Sequence, residues 1–422
     1  MTWFILVFPL ALLLLGFPIF VILLAASACL LIFFMNVPFA VAHQALFGAI
    51  DKFSLLAVPF FLFAGEVMGV GGMSKRILDW CMSIIGRVRG AHGLTTIAAS
   101  TVFGAISGSA PATVAAIGRF TYPGLREKYG LRFATGIISA TGAIDIMIPP
   151  SISMILYGTA AEQSVARLFI AGVVPGLLLA LLNAVYVVYY ARRQGIHDTE
   201  PVSWRAFLTA TRKGAWSLGG PAVILGGIYG GIFAPTEAAG VACVYGILVT
   251  KFIHRELTWR ELWNVGVNSM YLTAQIMIIV ASAGVFSWIL TVNGVPQAAV
   301  ELVRGIADKP WAVLMAINIF LLIVGCVIDP ASAILILTPL LVPICKAYGI
   351  DLIHFGVIIA LNLAIGMFHP PFGLNIFVVQ ALTRAPVGAI YMGVIPFVIV
   401  ALVALVIVTY VPWLSLYLTS FI

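Results

Sequence analysis

The stretch Gly104-Ala105-Ile106-Ser107-Gly108-Ser109-Ala110-Pro111 interrupts an apolar segment that covers residues 94–118. Basic residues flank this segment on both sides: Lys75, Arg76, Arg87 and Arg89 precede it, and Arg119, Arg126, Lys128 and Arg132 follow it. Basic clusters prefer the cytoplasmic side of a membrane, so both ends of the segment are expected there. Non-helical backbone at membrane depth survives only where protein or a water-filled cavity covers it. The stretch therefore predicts a re-entrant hairpin whose tip faces something polar.

The composition supports a membrane protein. Of 422 residues, 62% are hydrophobic and only 9% are charged, whereas soluble domains carry about 25% charged residues. Apolar runs such as residues 397–408 lack the alternation of a membrane β-barrel. The net charge of +7 comes from short basic clusters between apolar runs, which indicates topology and not nucleic-acid binding. The five cysteines include no C-x-x-C pair, so no disulfide framework or zinc site is indicated.

A second interrupted segment resembles the first. It covers residues 311–344 and is broken from Gly325 to Pro330. The two halves match at an offset of 221 residues, and the two adjacent proline pairs, Pro149-Pro150 and Pro370-Pro371, both obey it. By the preference of basic clusters for the cytoplasmic side, the positive-inside rule, the first hairpin opens to the cytoplasm and the second to the outside. This predicts an inverted repeat, an architecture typical of secondary transporters with discontinuous helices.

The predicted fold is an all-α polytopic membrane protein with about ten full passes, two re-entrant hairpins and both termini outside. Residues 1–52 are expected to form N-terminal scaffold helices, with three passes in 3–72. Residues 53–191 form repeat 1, with a hairpin at 94–118 and a broken helix at 133–159. Residues 192–265 supply an interfacial helix over 200–213 and connecting transmembrane helices. Residues 266–422 form repeat 2, with a hairpin at 311–344 and a broken helix at 352–379.

The two breaks carry oxygen-rich side chains that suit a hard cation such as Na⁺, because a broken helix also frees backbone carbonyls. The candidate Na⁺ ligands are Ser107, Ser109, Thr113, Asp145, Ser151, Asp329, Ser332 and Asn375. The candidate substrate-binding residues are Ser109, Pro150, Ser153, Pro371 and Asn375. Any one serine could equally bond a carbonyl of its own helix. Asp145 and Asp329 stand out, because an intramembrane carboxylate is expensive and usually functional.

Other polar residues receive structural interpretations. Glu66 is a further intramembrane acid, and Arg119 and Arg384 lie at helix ends where the positive-inside rule explains them. Residues 105–108 approach the G-x-S-G of an intramembrane serine protease, but alanine replaces the first glycine and no helix supplies an evident partner histidine. No G-x-x-x-x-G-K-[ST] motif occurs, so uphill transport would have to use an ion gradient.

Several runs together resemble one transporter family. They are Phe63-Ala64-Gly65-Glu66, residues 104–113, Ile148-Pro149-Pro150-Ser151, Ala234-Pro235-Thr236-Glu237-Ala238-Ala239 and Pro370-Pro371-Phe372-Gly373-Leu374-Asn375. Their order and sequence are similar to those of the large membrane subunit of tripartite ATP-independent periplasmic (TRAP) transporters, and the resemblance covers essentially the whole chain.

This resemblance implies Na⁺-coupled uptake across a bacterial inner membrane by an elevator-like motion, with no enzymatic activity and no cofactor beyond the coupling ion. It implies two protein partners, a small membrane subunit and a periplasmic substrate-binding protein, and a small organic anion as substrate, such as a C4-dicarboxylate, sialic acid or another sugar acid. One Na⁺ site would join the 107–113 tip to the 145–153 break, and the other the 329–332 tip to the 369–375 break. A stand-alone carrier and a passive channel remain alternatives.

Overall fold

The computed structural model describes residues 2–35 and 37–421, which form twenty α-helices and no β-strand. This confirms the predicted all-α polytopic class. Within the described residues, six helices are long and apolar enough to cross a membrane singly, and eight spans result if each of two bent helix pairs counts as one. The ten predicted passes exceed this number, because several apolar helices are shorter than a full membrane crossing.

The chain begins with four helices where the sequence predicts three passes. Pro18 and Pro38 precede the second and third helices, and each supplies a fixed φ that suits a helix start. A short 3₁₀ turn, Phe53–Leu56, leads into the fourth helix. The helices are α1 (Thr2–Leu14), α2 (Ile19–Phe33), α3 (Phe39–Ile50) and α4 (Ala57–Val70).

Repeat 1 follows the predicted order of hairpin, broken helix and long helix. Its elements are α5 (Met73–Ile85), α6 (Ala91–Ser107), α7 (Ala110–Tyr129), α8 (Leu131–Met147), α9 (Ile152–Ala160) and α10 (Val165–Arg193). Helices α6 and α7 form hairpin 1, whose tip is residues 107–110. The axes of α8 and α9 differ by 43° across the break at residues 148–151.

The connecting region differs from the prediction. The expected interfacial helix over 200–213 is the first part of one longer helix, α11 (Trp204–Tyr229). This helix starts where the Ser203 hydroxyl accepts the amide N–H of Ala206 at 3.0 Å, and it continues through Gly214 and Pro221 to the glycine turn at 230–231. The remaining elements are α12 (Pro235–Ile247), a π-helical turn (Leu248–Ile253) and the 34-residue α13 (Trp259–Val292).

Repeat 2 contains the same sequence of elements. They are α14 (Val295–Ile306), α15 (Pro310–Gly325), α16 (Pro330–Ala347), α17 (Leu352–Gly366), α18 (Leu374–Thr383) and α19 (Val387–Tyr410), followed by α20 (Trp413–Leu416) and a 3₁₀ turn (Leu418–Phe421). Helices α15 and α16 form hairpin 2, whose tip is residues 326–329. With the 221-residue offset applied, the starts of α5–α10 and α14–α19 agree within two residues.

The broken helices form the centre of the molecule. Residues 133–147 of α8 and 353–366 of α17 are all buried. Helix α8 packs very closely on α19, since a Cβ built on Gly136 would lie 2.0 Å from the carbonyl oxygen of Gly393. Small residues thus bring two backbones together where lipid provides no hydrophobic driving force between helices.

The two repeats are interlocked. Helix α7 of hairpin 1 packs against α18, a half-helix of repeat 2, and helix α16 of hairpin 2 packs against α9, a half-helix of repeat 1. Each hairpin therefore lies between the break of its own repeat and the half-helix of the other. This arrangement positions both tips beside one central cavity.

The base of hairpin 1 is fixed by a buried carboxylate from the loop after α10. Asp198 accepts the amide N–H groups of Gly90 at 2.8 Å and His92 at 3.0 Å, and the hydroxyl of Tyr129 at 2.5 Å. Burial by itself would raise the pKa of Asp198, but these bonds and the nearby His92 ring hold the pKa below its usual range. One ionised side chain thus joins the start of α6 to the end of α7.

Candidate functional site

The tip of hairpin 1 is held against the first break. Helix α6 ends at Ser107, and Gly108 follows in the left-handed region with a φ of +61°. A Cβ at Gly108 would lie 2.7 Å from the carbonyl oxygen of Pro150, so glycine is needed both for its backbone conformation and for this close approach. Ser107 and Ser109 contact each other at 3.3 Å through a local side-chain-to-backbone bond. The tip is therefore a compact turn with the Pro150 carbonyl directly beside it.

Asp145 lies where three elements of repeat 1 meet. Its side chain is fully buried near the end of α8, and its Oδ1 accepts the hydroxyl of Thr113 on α7 at 2.8 Å. Gly104 on α6 leaves room for it, because a Cβ there would lie 2.9 Å from Oδ1. The second oxygen, Oδ2, is buried and has no hydrogen-bond partner. A buried carboxylate oxygen without a donor is costly, so this position calls for a positive charge or a proton.

The first break contains a cis peptide bond between Pro149 and Pro150. Ser151 begins α9, and its hydroxyl accepts the amide N–H of Met154 at 3.4 Å. Ser151 thus has the ordinary role of a helix cap. Ser153 lies two residues farther on and lines the central cavity.

The tip of hairpin 2 has a different construction. Asp329 caps α16: its carboxylate accepts the amide N–H of Ser332 at 3.0 Å and the Ser332 hydroxyl at 2.5 Å. The Asp329 side chain is exposed to the central cavity, whereas Ser332 is buried. The thiol of Cys326 lies 3.1 Å from Nδ1 of His369, which joins this tip to the second break.

The second break supplies Asn375 to the other repeat. A cis bond joins Pro370 to Pro371. The Asn375 amide donates to the backbone carbonyl of Ser139 on α8 at 3.2 Å, and its Oδ1 is buried without a partner. Asn375 therefore bonds to a helix of repeat 1, and its pairing with Asp329 in one Na⁺ site stays a prediction. Pro371 is exposed, and its carbonyl accepts the hydroxyl of Tyr391 at 2.6 Å.

A cavity of about 1020 Å³, the central cavity, lies between the two tips and helices α2, α4 and α13. The structure brings five of the predicted residues to its wall: Ser107, Ser109, Ser153, Asp329 and Ser332. The other predicted residues do not line it. Thr113, Asp145, Ser151 and Asn375 lie in the packed layer behind the tips, with Pro150 buried beside tip 1 and Pro371 at the surface.

Three polar cavity residues have no binding role in the sequence-based site. Glu66 on α4 accepts the hydroxyl of Ser269 at 2.6 Å, and Gln275 on α13 and Arg119 on α7 also line the cavity. The intramembrane charge of Glu66 was a usable signal. For Gln275 no local pattern existed, and for Arg119 the positive-inside rule gave a sufficient explanation.

Comparisons with known proteins agree with this architecture. The family model described as "Tripartite ATP-independent periplasmic transporter, DctM component" matches residues 6–414. The chain is 43% identical over 372 residues to the C4-dicarboxylate TRAP transporter large permease protein DctM of Pseudomonas aeruginosa, covering 88% of this chain and 87% of that protein. It is 37% identical over 412 residues to the ectoine TRAP transporter large permease protein TeaC of Halomonas elongata, covering 96% of each.

A solved structure shares the fold. The YdaH transporter of Alcanivorax borkumensis superposes with a TM-score of 0.62 and covers 97% of this chain and 98% of that one, at 15% sequence identity. At that identity the likeness concerns the fold alone, whereas the family model and the relatives concern the whole sequence. The chain belongs to the tripartite ATP-independent periplasmic transporter family, as a large permease component.

Proposed function

We propose that this large permease imports a small organic anion by coupling its movement to Na⁺ entry. A periplasmic substrate-binding protein would deliver the anion. A small membrane subunit would complete the complex in a bacterial inner membrane. The observation that carries the proposal is Asp145, a fully buried carboxylate whose Oδ2 has no partner. A bound cation would neutralise this charge at the point where hairpin 1 meets the first break.

Oxygen atoms of hairpin 1 and the first break fit Na⁺. The Asp145 carboxylate accepts the Thr113 hydroxyl, and the Ser107 hydroxyl and the Pro150 carbonyl lie at tip 1. Hard cations prefer oxygen ligands, whereas copper and zinc sites commonly use imidazole or thiolate. Within the described residues, no group of three or more His, Cys, Asp or Glu side chains could hold a metal ion. A Na⁺ ion near the tip therefore matches the chemistry of the surrounding side chains.

Ion binding would affect substrate binding through the tip of hairpin 1. Ser107 and Ser109 line the central cavity, while Thr113 on the same hairpin bonds Asp145. A cation that draws these groups together would fix the tip and so complete the cavity wall. Coupling in this form requires that the substrate bind the ordered tip better than the free one. The helices bearing both hairpins would then move as one unit past α2, α4 and α13, as in an elevator.

The central cavity suits a small organic acid. Its volume of about 1020 Å³ exceeds the needs of a C4-dicarboxylate or a sugar acid. Hydroxyls from Ser109, Ser153 and Ser332 and the amide of Gln275 offer hydrogen bonds to the carboxylate and hydroxyl oxygens of such a ligand. Glu66 and Asp329 add negative charge to the same wall, which opposes an anion unless a cation such as Na⁺ neutralises them.

The test is uptake of radiolabelled succinate, a C4-dicarboxylate, into vesicles that contain both membrane subunits, with the ligand-loaded binding protein outside. We expect accumulation above the external concentration only with an inward Na⁺ gradient and with the binding protein. Uptake that is unchanged without a Na⁺ gradient would overturn the coupling. Uptake without the binding protein would favour a stand-alone carrier, and equilibration without accumulation would favour a channel. If succinate is not bound by the binding protein, the ligand found by its thermal stabilisation replaces succinate.

A further inference from the structure

A second cavity of about 670 Å³, which we call the cytoplasmic vestibule, adjoins the central cavity. The two share Gly69 and Val70 on α4 and Arg119 on α7. The vestibule walls also include α5, α11 and the segment after α12. Its basic residues place it on the cytoplasmic side by the positive-inside rule. The vestibule and the central cavity thus meet at Gly69, Val70 and Arg119.

The vestibule concentrates positive charge. Five bases line it, against two acids, which leaves three formal positive charges with His254 neutral; the bases are Lys75, Arg76, Arg119, Arg212 and Lys213. The positive charge of Arg76 is compensated within the vestibule, because Arg76 forms an ion pair with Glu256 at 2.6 Å. The other acid, Asp79, lies within electrostatic reach of Lys75, Arg76 and Lys213. Among the described residues, neither Arg119 nor Arg212 forms an ion pair.

Arg119 links the vestibule to the hairpin tip. Helix α7 begins at Ala110, and Arg119 follows nine residues later, a distance of about 14 Å along the helix. The guanidinium lies 5.2 Å from the centre of the Phe120 ring, at the boundary of the two cavities. The positive-inside rule explains the sign of each cluster. It does not explain why α5, α7 and α11, which are distant in sequence, direct their bases into one cavity.

We propose that the cytoplasmic vestibule is a second, weak binding site for the transported organic anion, with Arg119 as its first contact after the anion leaves the tips. This inference rests on the proposed import of an anion. An anion that enters a cell with a negative interior moves against the membrane potential, at about 2.3 kcal/mol per charge per 100 mV. A basic vestibule lowers that local barrier. Because its side chains are exposed to water, each contact is weak and release is not prevented.

A thiol-reaction assay tests the vestibule without any transport substrate. In the assembled membrane complex, Ala210, which lines the vestibule, is replaced by cysteine. The reaction rates with an anionic sulfonatoethyl and a cationic trimethylammonioethyl methanethiosulfonate are then compared with those of free glutathione. We expect about a tenfold bias toward the anionic reagent relative to glutathione. The bias should shrink in 0.5 M salt, which screens exposed charges. The protein without the Ala210→Cys change measures the background from its own cysteines.

Charge variants locate the source of the bias. Arg119→Gln and Arg212→Gln, each combined with Ala210→Cys, should reduce the bias several-fold, whereas Arg119→Lys should retain it. Arg260→Gln is the matched control, because Arg260 at the start of α13 does not line the vestibule. An unbiased ratio, a ratio unaffected by Arg119→Gln, or a cysteine that neither reagent reaches would overturn the proposal.

Transport supplies the second readout. In Na⁺-driven succinate uptake, Arg119→Gln should lower the maximal rate several-fold with little change in the half-saturating concentration, because release slows while loading at the tips is intact. Arg119→Lys should restore the rate. Normal Na⁺-dependent uptake without thiol-reaction bias would reject the vestibule site alone. Absence of Na⁺-dependent uptake together with a clear bias would reject the proposed function and leave the anion-attracting vestibule in place.

Discussion

Hairpins 1 and 2 occupy equivalent places in the two repeats, yet they exchange the positions of their carboxylates. At the 221-residue offset, Gly108 in tip 1 corresponds to Asp329 in tip 2, and Asp145 on α8 corresponds to Gly366 on α17. Hairpin 1 therefore receives its acid from the broken helix behind it, and hairpin 2 carries its own at the tip. The first acid is buried with one oxygen unpaired, and the second is exposed to the cavity and occupied as a helix cap.

The packing of the two hairpins differs in the same sense. Helices α6 and α7 pack against each other and both against α8, so hairpin 1 and α8 together form a closed three-helix unit. Helix α15 packs mainly on α17, while α16 packs mainly on α9, α13 and α14. The ends of the hairpins opposite the tips are also held differently. The carboxylate of Asp198 closes hairpin 1, whereas a neutral hydrogen bond from the Tyr348 hydroxyl to the carbonyl of Ala307, at 2.6 Å, closes hairpin 2. The two repeats therefore share an order of helices but not the placement of their carboxylates.

The largest effect is expected at the buried acid. Asp145→Ala should raise the Na⁺ concentration for half-maximal uptake roughly a hundredfold, since loss of a buried charge partner costs about 3 kcal/mol. The measurement is uptake as a function of Na⁺ in vesicles. Thr141→Val is the matched control, because Thr141 lies on the same helix and its hydroxyl donates to the carbonyl of Ile138 in that helix. Unchanged Na⁺ dependence in Asp145→Ala would remove hairpin 1 from the ion site.

The next effect concerns the hairpin bases. Asp198→Asn should lower the stability of the purified protein by about 2 kcal/mol at pH 7, because several donors lose a charged acceptor. This loss of stability should exceed the loss caused by Tyr348→Phe. The pKa of Asp198 is depressed in the folded protein, so its contribution is present above the unfolded pKa of about 3.9 and is lost as the pH falls below it.

Thermal unfolding from pH 7 down to pH 3 measures this contribution. The difference in Tm between the wild type and Asp198→Asn should shrink as the pH falls below about 4. Asp308→Asn, at an exposed loop position, should show no such pH-dependent difference. A gap between wild type and Asp198→Asn that stays constant over this range would show that the carboxylate charge does not close hairpin 1.

A smaller effect is expected where hairpin 2 crosses its broken helix. A Cβ at Gly366 would lie 2.5 Å from the carbonyl oxygen of Gly325, and a backbone atom cannot move aside as a flexible side chain can. Gly366→Ala should therefore destabilise the protein by about 1–2 kcal/mol, measured as a lower Tm. In Gly388→Ala the new methyl group meets open space, so its Tm should stay within about one degree or rise slightly. Equal Tm values for the two variants would mean that α15 and α17 can separate.

The smallest effect is expected at Asp329 in tip 2, where two substitutions distinguish its role as a helix cap from the role of its charge. Asp329→Asn keeps a residue that caps helices well, whereas Asp329→Ala loses the cap at a cost of about 1 kcal/mol. If Asp329 also contributes to a second Na⁺ site, Asp329→Asn should weaken Na⁺ dependence about fivefold, well below the effect at Asp145. Wild-type Na⁺ dependence in Asp329→Asn, with a lower Tm in Asp329→Ala only, would leave Asp329 with a structural role.

The breaks and the repeat could be predicted from sequence because their signals are local. Proline pairs and glycine-rich tips interrupt helices wherever they occur, and a fixed offset is visible by inspection. Three of the four predicted segments, hairpin 2 and both broken helices, agree with the observed helices within four residues. Hairpin 1 extends to Tyr129, eleven residues beyond its predicted end at 118. The predicted separate helix over 200–213 is wrong, because α11 continues without a break to Tyr229. The stretch 3–72 contains four helices, and the number of passes that they make stays a prediction.

The presence of polar residues at the two breaks can be seen in the sequence, but their arrangement cannot, and their role as ligands stays a prediction. Asp145 follows from the cost of an intramembrane charge. That Asn375 turns toward Ser139 in the other repeat, that Ser151 is used as a cap, and that Gln275 faces the tips depend on contacts between distant segments. No periodicity or spacing along the chain encodes such contacts.

The sequence by itself determined the membrane class, the inverted repeat, the two interruptions and the family, because each depends on composition or on motifs within a few residues. Only the tertiary structure decided which acid is buried, which is a cap, and which bases share the vestibule. The physical reason is that the cost of a charge depends on the dielectric and the donors around it, and in this protein those surroundings are built by helices that lie far apart in the chain.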